Sequence, residues 1–228
     1  MDPQAAAGRF IVIEGIDGAG TSTQAARLVE WLEQLGRRAL LTAEPTRGPV
    51  GALLRQVMGH RLLARLPDGS SGPMANDVIA LLFAADRLDH LQVEIEPWLA
   101  AGAVVVSDRY YHSSLLYQSL AGDLGWIRQL NAHARPPDVT YVLDLPADQA
   151  AARRSNRSAA EMYERDALQR RLVDGYRQLA ALLPDETIVP IDGAQPADAV
   201  HAAIVHDLGR RLGLAENERS GEPGPGDR

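Results

Sequence analysis

No cysteine occurs among the 228 residues. Disulfides and cysteine-ligated zinc are therefore excluded, and the absence accords with a reducing compartment. Lysine is missing as well: all 23 basic residues are arginine. Alongside the abundance of alanine, this points to a genome-wide codon bias. It also means that any basic side chain facing a phosphate, histidine aside, is an arginine. No apolar run reaches the roughly 18 residues needed to cross a bilayer. Met1 to Gly8 has neither the basic n-region nor the apolar h-region of a signal peptide. The expectation is a soluble cytoplasmic protein. The net charge of −7 argues against a broad basic groove for nucleic acid.

What is present is organised around Phe10 to Thr23. Phe10 to Ile13 is a short, largely β-branched apolar run, which reads as a buried strand of a parallel sheet. Gly15-Ile16-Asp17-Gly18-Ala19-Gly20 follows, then Thr21, Ser22 and Thr23, then helical periodicity from Gln24 to Leu35. Strand, glycine-rich turn and helix form the setting in which G-x-x-x-x-G-K-[ST] signifies a phosphate-binding loop. Small residues let successive N–H groups face one anion, and the helix start adds the positive end of its dipole. Ser22 falls where a hydroxyl would hold Mg²⁺. One position departs from the pattern, because the lysine slot is Thr21.

Further apolar runs read as strands at 38–43, 103–107, 139–145 and 186–191, with helical patterns between them. The second strand ends in Glu44-Pro45-Thr46-Arg47-Gly48-Pro49, a shaped loop at a carboxyl end where α/β proteins place ligands. His60 to Pro73 reads as a surface loop, and Met74 to Ala101 as one long helix carrying Phe83 and Arg87. Asp108 and Arg109 follow the third strand directly, the usual position of a carboxylate near the metal. The fold expected is α/β: one doubly wound domain over 9–214 with about five parallel strands. Residues 1–8 and 215–228 are expected to be disordered tails.

The chain resembles bacterial thymidylate kinases of the phosphate-loop nucleoside-monophosphate kinase group. The resemblance rests on EGIDGAGTSTQ at 14–24, EPT at 44–46, LLFAADR at 81–87, DRYYHSSLLYQ at 108–118, PDVTYVLDLP at 137–146 and IDGAQPADAVHAAI at 191–204. It implies transfer of a phosphoryl group from ATP to dTMP with Mg²⁺, a mobile lid near 153–161, and a homodimer. By resemblance, Gly15, Asp17, Gly18, Ala19, Gly20, Thr21, Ser22, Thr23 and Arg153 bind ATP, while Ser22 and Asp17 serve the metal, Asp17 directly or through water. The turn at Gly193 to Gln195 borders the donor adenine. Phe83 stacks on thymine and Arg87 bonds its edge. Glu44, Asp108, Ser114, Tyr117 and Gln118 line the acceptor pocket, and Arg47 and Arg109 grip the acceptor phosphate. Glu44–Pro45 is expected to be cis.

Two departures bear on catalysis. Thr21 stands in the lysine slot, and the lid reads Glu161-Met162-Tyr163-Glu164 where an arginine is expected after the acid. Arg154 or Arg157 is then expected to supply the missing cation, making Asp17, Arg109, Arg154 and Arg157 the catalytic set. Two alternatives stay open: a kinase of another nucleoside monophosphate, or a nucleotide-binding protein without catalysis.

Overall fold

The computed structural model describes residues 8–153 and 159–212. Arg154, Arg157, most of the expected lid and both tails apart from Gly8 lie outside the described residues, as do the side chains of Glu161 to Glu164.

Five strands form one parallel sheet: β1 (Arg9–Gly15), β2 (Ala39–Ala43), β5 (Val104–Asp108), β6 (Val139–Asp144) and β7 (Ile188–Asp192). Their order is β2-β5-β1-β6-β7. Phe10 to Ile13 are completely buried at the centre, as expected for a strand covered on both faces. Helix α1 (Thr21–Gln34) packs beside α9 (Ala197–Arg211). The remaining helices are α2 (Pro49–Met58), α3 (Asn76–His90), α4 (Glu96–Ala100), α5 (Tyr111–Tyr117), α6 (Leu124–Leu130), α7 (Ala147–Ala152) and α8 (Ala159–Leu182). Among them α5 packs against both α3 and α8, and α5 and α8 reach the sheet.

Register decides what meets at the carboxyl ends. Ile13 and Ala43 both pair with Asp108. The phosphate loop, the Asp108–Arg109 turn and the Glu44 loop therefore emerge side by side, the place where open α/β sheets hold ligands.

Three local differences from the sequence reading have physical causes. The expected loop at 60–73 contains a small antiparallel hairpin, β3 (Ala64–Arg65) with β4 (Ser71–Gly72). Its turn is closed by Asp68, whose carboxylate accepts the Ser70 N–H and hydroxyl, and by Gly69 at φ 85°. Strands of two residues leave no periodic signal. The long helix is interrupted by one π-helical turn at Leu91–Ile95 between α3 and α4. The helix after the phosphate loop starts at Thr21, because Gly20 at φ 97° turns the chain straight into it.

Candidate active site

The phosphate loop is shaped by its glycines. Gly18 and Gly20 hold left-handed φ values of 92° and 97°. At Gly15 an added Cβ would stand 3.1 Å from Ala19 Cβ and 3.2 Å from the Leu143 carbonyl oxygen. Thr21, at the lysine position, is buried at the start of α1. Ser22 Oγ donates a short hydrogen bond to Asp108 Oδ2. Asp108 Oδ1 is buried with no hydrogen-bond partner among the described residues. An acceptor oxygen beside a hydroxyl is a donor set suited to Mg²⁺. Mg²⁺ commonly takes one or two protein oxygens and fills its octahedron with water and substrate phosphate. Ser22 and Asp108 would thus hold the ion.

Asp17 is paired with Arg109. Arg109 Nη2 donates to Asp17 Oδ1 at 2.8 Å, and the Tyr117 hydroxyl reaches the same oxygen at 3.4 Å. Gln169 of α8 accepts the Asp17 N–H at 3.1 Å and donates to Asp17 Oδ2 at 3.4 Å. The Arg109 backbone adopts φ 71°, a left-handed conformation unusual for a side-chain-bearing residue. It is held by the bond from Arg109 N to the Ile13 carbonyl at 3.0 Å. Burial alone would lower the Arg109 pKa, but Tyr176, Tyr117, Glu14 and Asp17 around it raise it, so the guanidinium stays charged.

Behind this pair lies Glu14, fully excluded from solvent. Its carboxylate accepts the Tyr110 N–H at 2.8 Å, the Ser113 N–H at 3.1 Å, the Ser113 hydroxyl at 2.7 Å and the Tyr176 hydroxyl at 2.8 Å. The first two are donors at the start of α5, so a buried charge caps a helix and fixes Arg109 beside it. Burial, and then Glu14 itself, push the Tyr176 hydroxyl well above its ordinary pKa, keeping it a donor.

On the acceptor side the Glu44–Pro45 bond is cis, as expected. Glu44 Oε2 takes Arg87 Nε at 2.9 Å, and Glu44 Oε1 lies 3.1 Å from His90 Nδ1. Arg87 also donates to Asn131 Oδ1 and to Ser114 Oγ. Asp86 holds the loop through the Thr46 N–H and hydroxyl at 2.7 and 2.6 Å. A cleft of about 920 Å³ opens here, with Ser22, Thr46, Arg47, Arg55, Asp89 and Asp108 on its wall. Arg47 is exposed to it. Phe83 is half-buried on α3 and is not on that wall, nor are Arg87, Ser114, Tyr117 or Gln118. Gln118 is buried, and its Oε1 has no partner among the described residues.

A second cleft of about 580 Å³ is lined by Gly18, Ala19, Gly20, Thr23 and Arg153 together with Gly193, Ala194 and Gln195. Arg153 Nη2 donates to the Gly193 carbonyl at 3.1 Å. Of the expected donor-side residues, Gly18, Ala19, Gly20, Thr23 and Arg153 share this cleft, and Ser22 lines the first one. Sequence reasoning missed Glu14, Gln169 and Tyr176. Glu14 alone carried a signal, as an acid closing an otherwise apolar strand.

A five-stranded parallel sheet with strand order β2-β5-β1-β6-β7, a glycine loop after β1 and an acid–arginine turn after β5 define a phosphate-loop kinase of the nucleoside-monophosphate type. A model of the thymidylate kinase family matches residues 13–204. The chain is 42% identical over 206 residues to a probable thymidylate kinase of Thermococcus kodakarensis, covering 90% of this chain and 98% of that one. It is 40% identical to a probable thymidylate kinase of Pyrococcus horikoshii, over 91% and 99% of the two chains. The thymidylate kinase of Clavibacter michiganensis is 38% identical, over 86% and 92%. The chain belongs to the thymidylate kinase family, and it is a nucleoside-monophosphate kinase.

Proposed function

We propose that the chain transfers the γ-phosphoryl group of ATP to dTMP, giving ADP and dTDP, in the cytoplasm and as a homodimer. The observation that carries this reading is the meeting of two polar pairs at the ends of β1 and β5, Ser22 with Asp108 and Asp17 with Arg109. Phosphoryl transfer needs positioning and charge neutralisation more than covalent chemistry.

In this reading the amides from Gly15 to Gly20 cradle the donor phosphates and the second cleft takes the adenine. Ser22 and Asp108 would hold Mg²⁺, with Asp17 serving it directly or through water, and the ion would neutralise phosphate charge. Arg47 and Arg109 orient the acceptor phosphate. One of its oxygens forms the new bond to the γ-phosphorus as the bond to the β–γ bridging oxygen breaks, and ADP leaves with that electron pair. The acceptor phosphate is largely ionised at neutral pH, so the step needs no strong base. Phe83 stacks on the base, Arg87 bonds its edge, and Ser114, Tyr117 and Gln118 line the sugar and base pocket. Arg154 and Arg157, outside the described residues, are proposed to add cationic charge at the γ-phosphate.

The homodimer is supported by an apolar stripe on α3. Val78, Leu81 and Leu88 are exposed by 44, 49 and 44%, at helical spacing on one face. The family membership does not favour the rival readings, another acceptor or a catalytically inert binder. The Asp17–Arg109 pair and its buried support also argue against inertness. An ADP-release assay with dTMP, dUMP, CMP, GMP and AMP tests all three. Turnover with dTMP far above the others is expected, whereas tight ATP binding without any turnover would make the chain an inert binder.

A further inference from the structure

Gln169 and Tyr176 stand seven residues apart on α8, hence on one face of the helix. Both are buried, at 1 and 4% exposure, and Leu172 and Val173 between them are buried in the core. Polar groups on a buried helix face cost free energy unless they are partnered. The partners here are specific. Gln169 takes the Asp17 N–H at 3.1 Å and approaches the Asp17 carboxylate at 3.4 Å. The Tyr176 hydroxyl bonds Glu14 at 2.8 Å and lies 3.1 Å from Ser113 Oγ. Ser113 Oγ in turn accepts from Arg109 Nη1 at 3.2 Å. One helix face thus reaches both members of the Asp17–Arg109 ion pair, Asp17 directly and Arg109 through Ser113.

The amide of Gln169 does two things that no apolar residue of the same volume could do. It fixes the peptide plane of Asp17 inside the phosphate loop, and it sets the rotation of the Asp17 carboxylate relative to Arg109. We infer that Gln169 is a positioning residue for phosphoryl transfer, holding Asp17 in the orientation the reaction uses without itself touching substrate. This rests on the reading of Asp17 as a catalytic group. A carboxylate at position 169 would still accept the Asp17 N–H, but it would set a like charge against the Asp17 carboxylate, so glutamine is the fitting side chain among residues of this size.

The test is a kinetic cycle on the full chain with ATP and dTMP. Gln169→Met, which conserves volume, is expected to lower kcat by about tenfold to a hundredfold, the scale of a small misplacement at a reacting centre. The KM values for ATP and dTMP are expected to stay within about twofold. Asp17→Ala is expected to lower kcat further, and in that background Gln169→Met should cost nothing more. That non-additivity is what a purely structural role would not produce. If Gln169→Met does not fold, as read by urea unfolding, Gln169→Glu takes its place in the same cycle. An unchanged kcat for Asp17→Ala overturns the reading of Asp17 and the inference with it. A normal effect of Asp17→Ala overturns the inference alone if Gln169→Met leaves kcat unchanged or costs the same factor in both backgrounds.

Discussion

Arg87 and Glu44 form an ion pair closed off from solvent, with Nη2 and Oε2 2.7 Å apart and side-chain exposures of 2 and 3%. The pair is where α3 is tied to the cis-proline loop after β2. Removing one member leaves the other charged and buried, which costs about 3–5 kcal/mol. Arg87→Met and Glu44→Gln are each expected to lower the free energy of unfolding by an amount in that range, measured by urea titration. Arg87→Lys is expected to be poorly tolerated as well, because one ammonium cannot reach Glu44, Asn131 and Ser114 in a planar fork. Losses below about 1 kcal/mol would show that the pair contributes little to the fold.

Phe83→Ala is expected to raise the KM for dTMP about ten- to a hundredfold while leaving the KM for ATP unchanged. A stack on a base contributes on the order of 1–3 kcal/mol. If both KM values move together, or neither moves, Phe83 serves packing and not the base.

With no cation at Thr21, Arg109 is one of the charges placed beside the phosphate loop, through its pair with Asp17. Arg109→Ala is expected to reduce kcat on the order of 10³, the low end of what an arginine at a transferring phosphoryl group supplies. Thr21→Lys alone is expected to change kcat little. Combined, the two substitutions should lose as much as Arg109→Ala alone, since a lysine at position 21 would face the donor phosphates and Arg109 orients the acceptor's. Steady-state kcat for the three variants decides the matter, and partial recovery in the double variant would show that the two positions serve the same oxygens.

Glu186 gives a pH dependence of stability. Burial raises its pKa, but hydrogen bonds from His112 and Tyr111 outweigh this and hold it below the ordinary value. Nε2 of His112 and the Tyr111 hydroxyl lie 2.8 and 2.5 Å from its two oxygens. With the folded pKa depressed, the unfolded chain binds more protons in the acid range. The contribution of Glu186 is therefore fully present above its unfolded pKa of about 4.3 and is lost as pH falls through the lower folded value. The stability difference between the wild-type chain and Glu186→Gln should shrink as pH falls below about 4. Urea midpoints across that range measure it, and a difference that grows on acidification would contradict the assignment.

The elements that place the site were legible because local pattern dictates them. Phe10 to Ile13 could be nothing but a buried strand, and the glycines before Thr21 announce their own turn. The loop at Glu44 and the turn at Asp108–Arg109 followed from their positions after apolar runs. Supports for these groups were not legible, because they come from far along the chain. Arg87 looks like a solvent-facing charge on a periodic helix until Glu44, 43 residues away, is packed against it. Gln169 lies 152 residues from Asp17, on a helix whose sequence reads as polar. His112 pairs with the carboxylate of Glu186, 74 positions on.

The Asp17–Arg109 pair joins residues 92 apart, across the parallel seam in which Ile13 meets Asp108. Parallel pairing closes only after the intervening crossover is in place, which makes it a slow contact to form. A collapsed or half-paired chain can keep its glycine turn and even the helix that follows, yet it has no guanidinium opposite the carboxylate. Turnover is for that reason a stricter witness of folding than circular dichroism or compactness, because it reads one inter-strand alignment that no local structure can imitate.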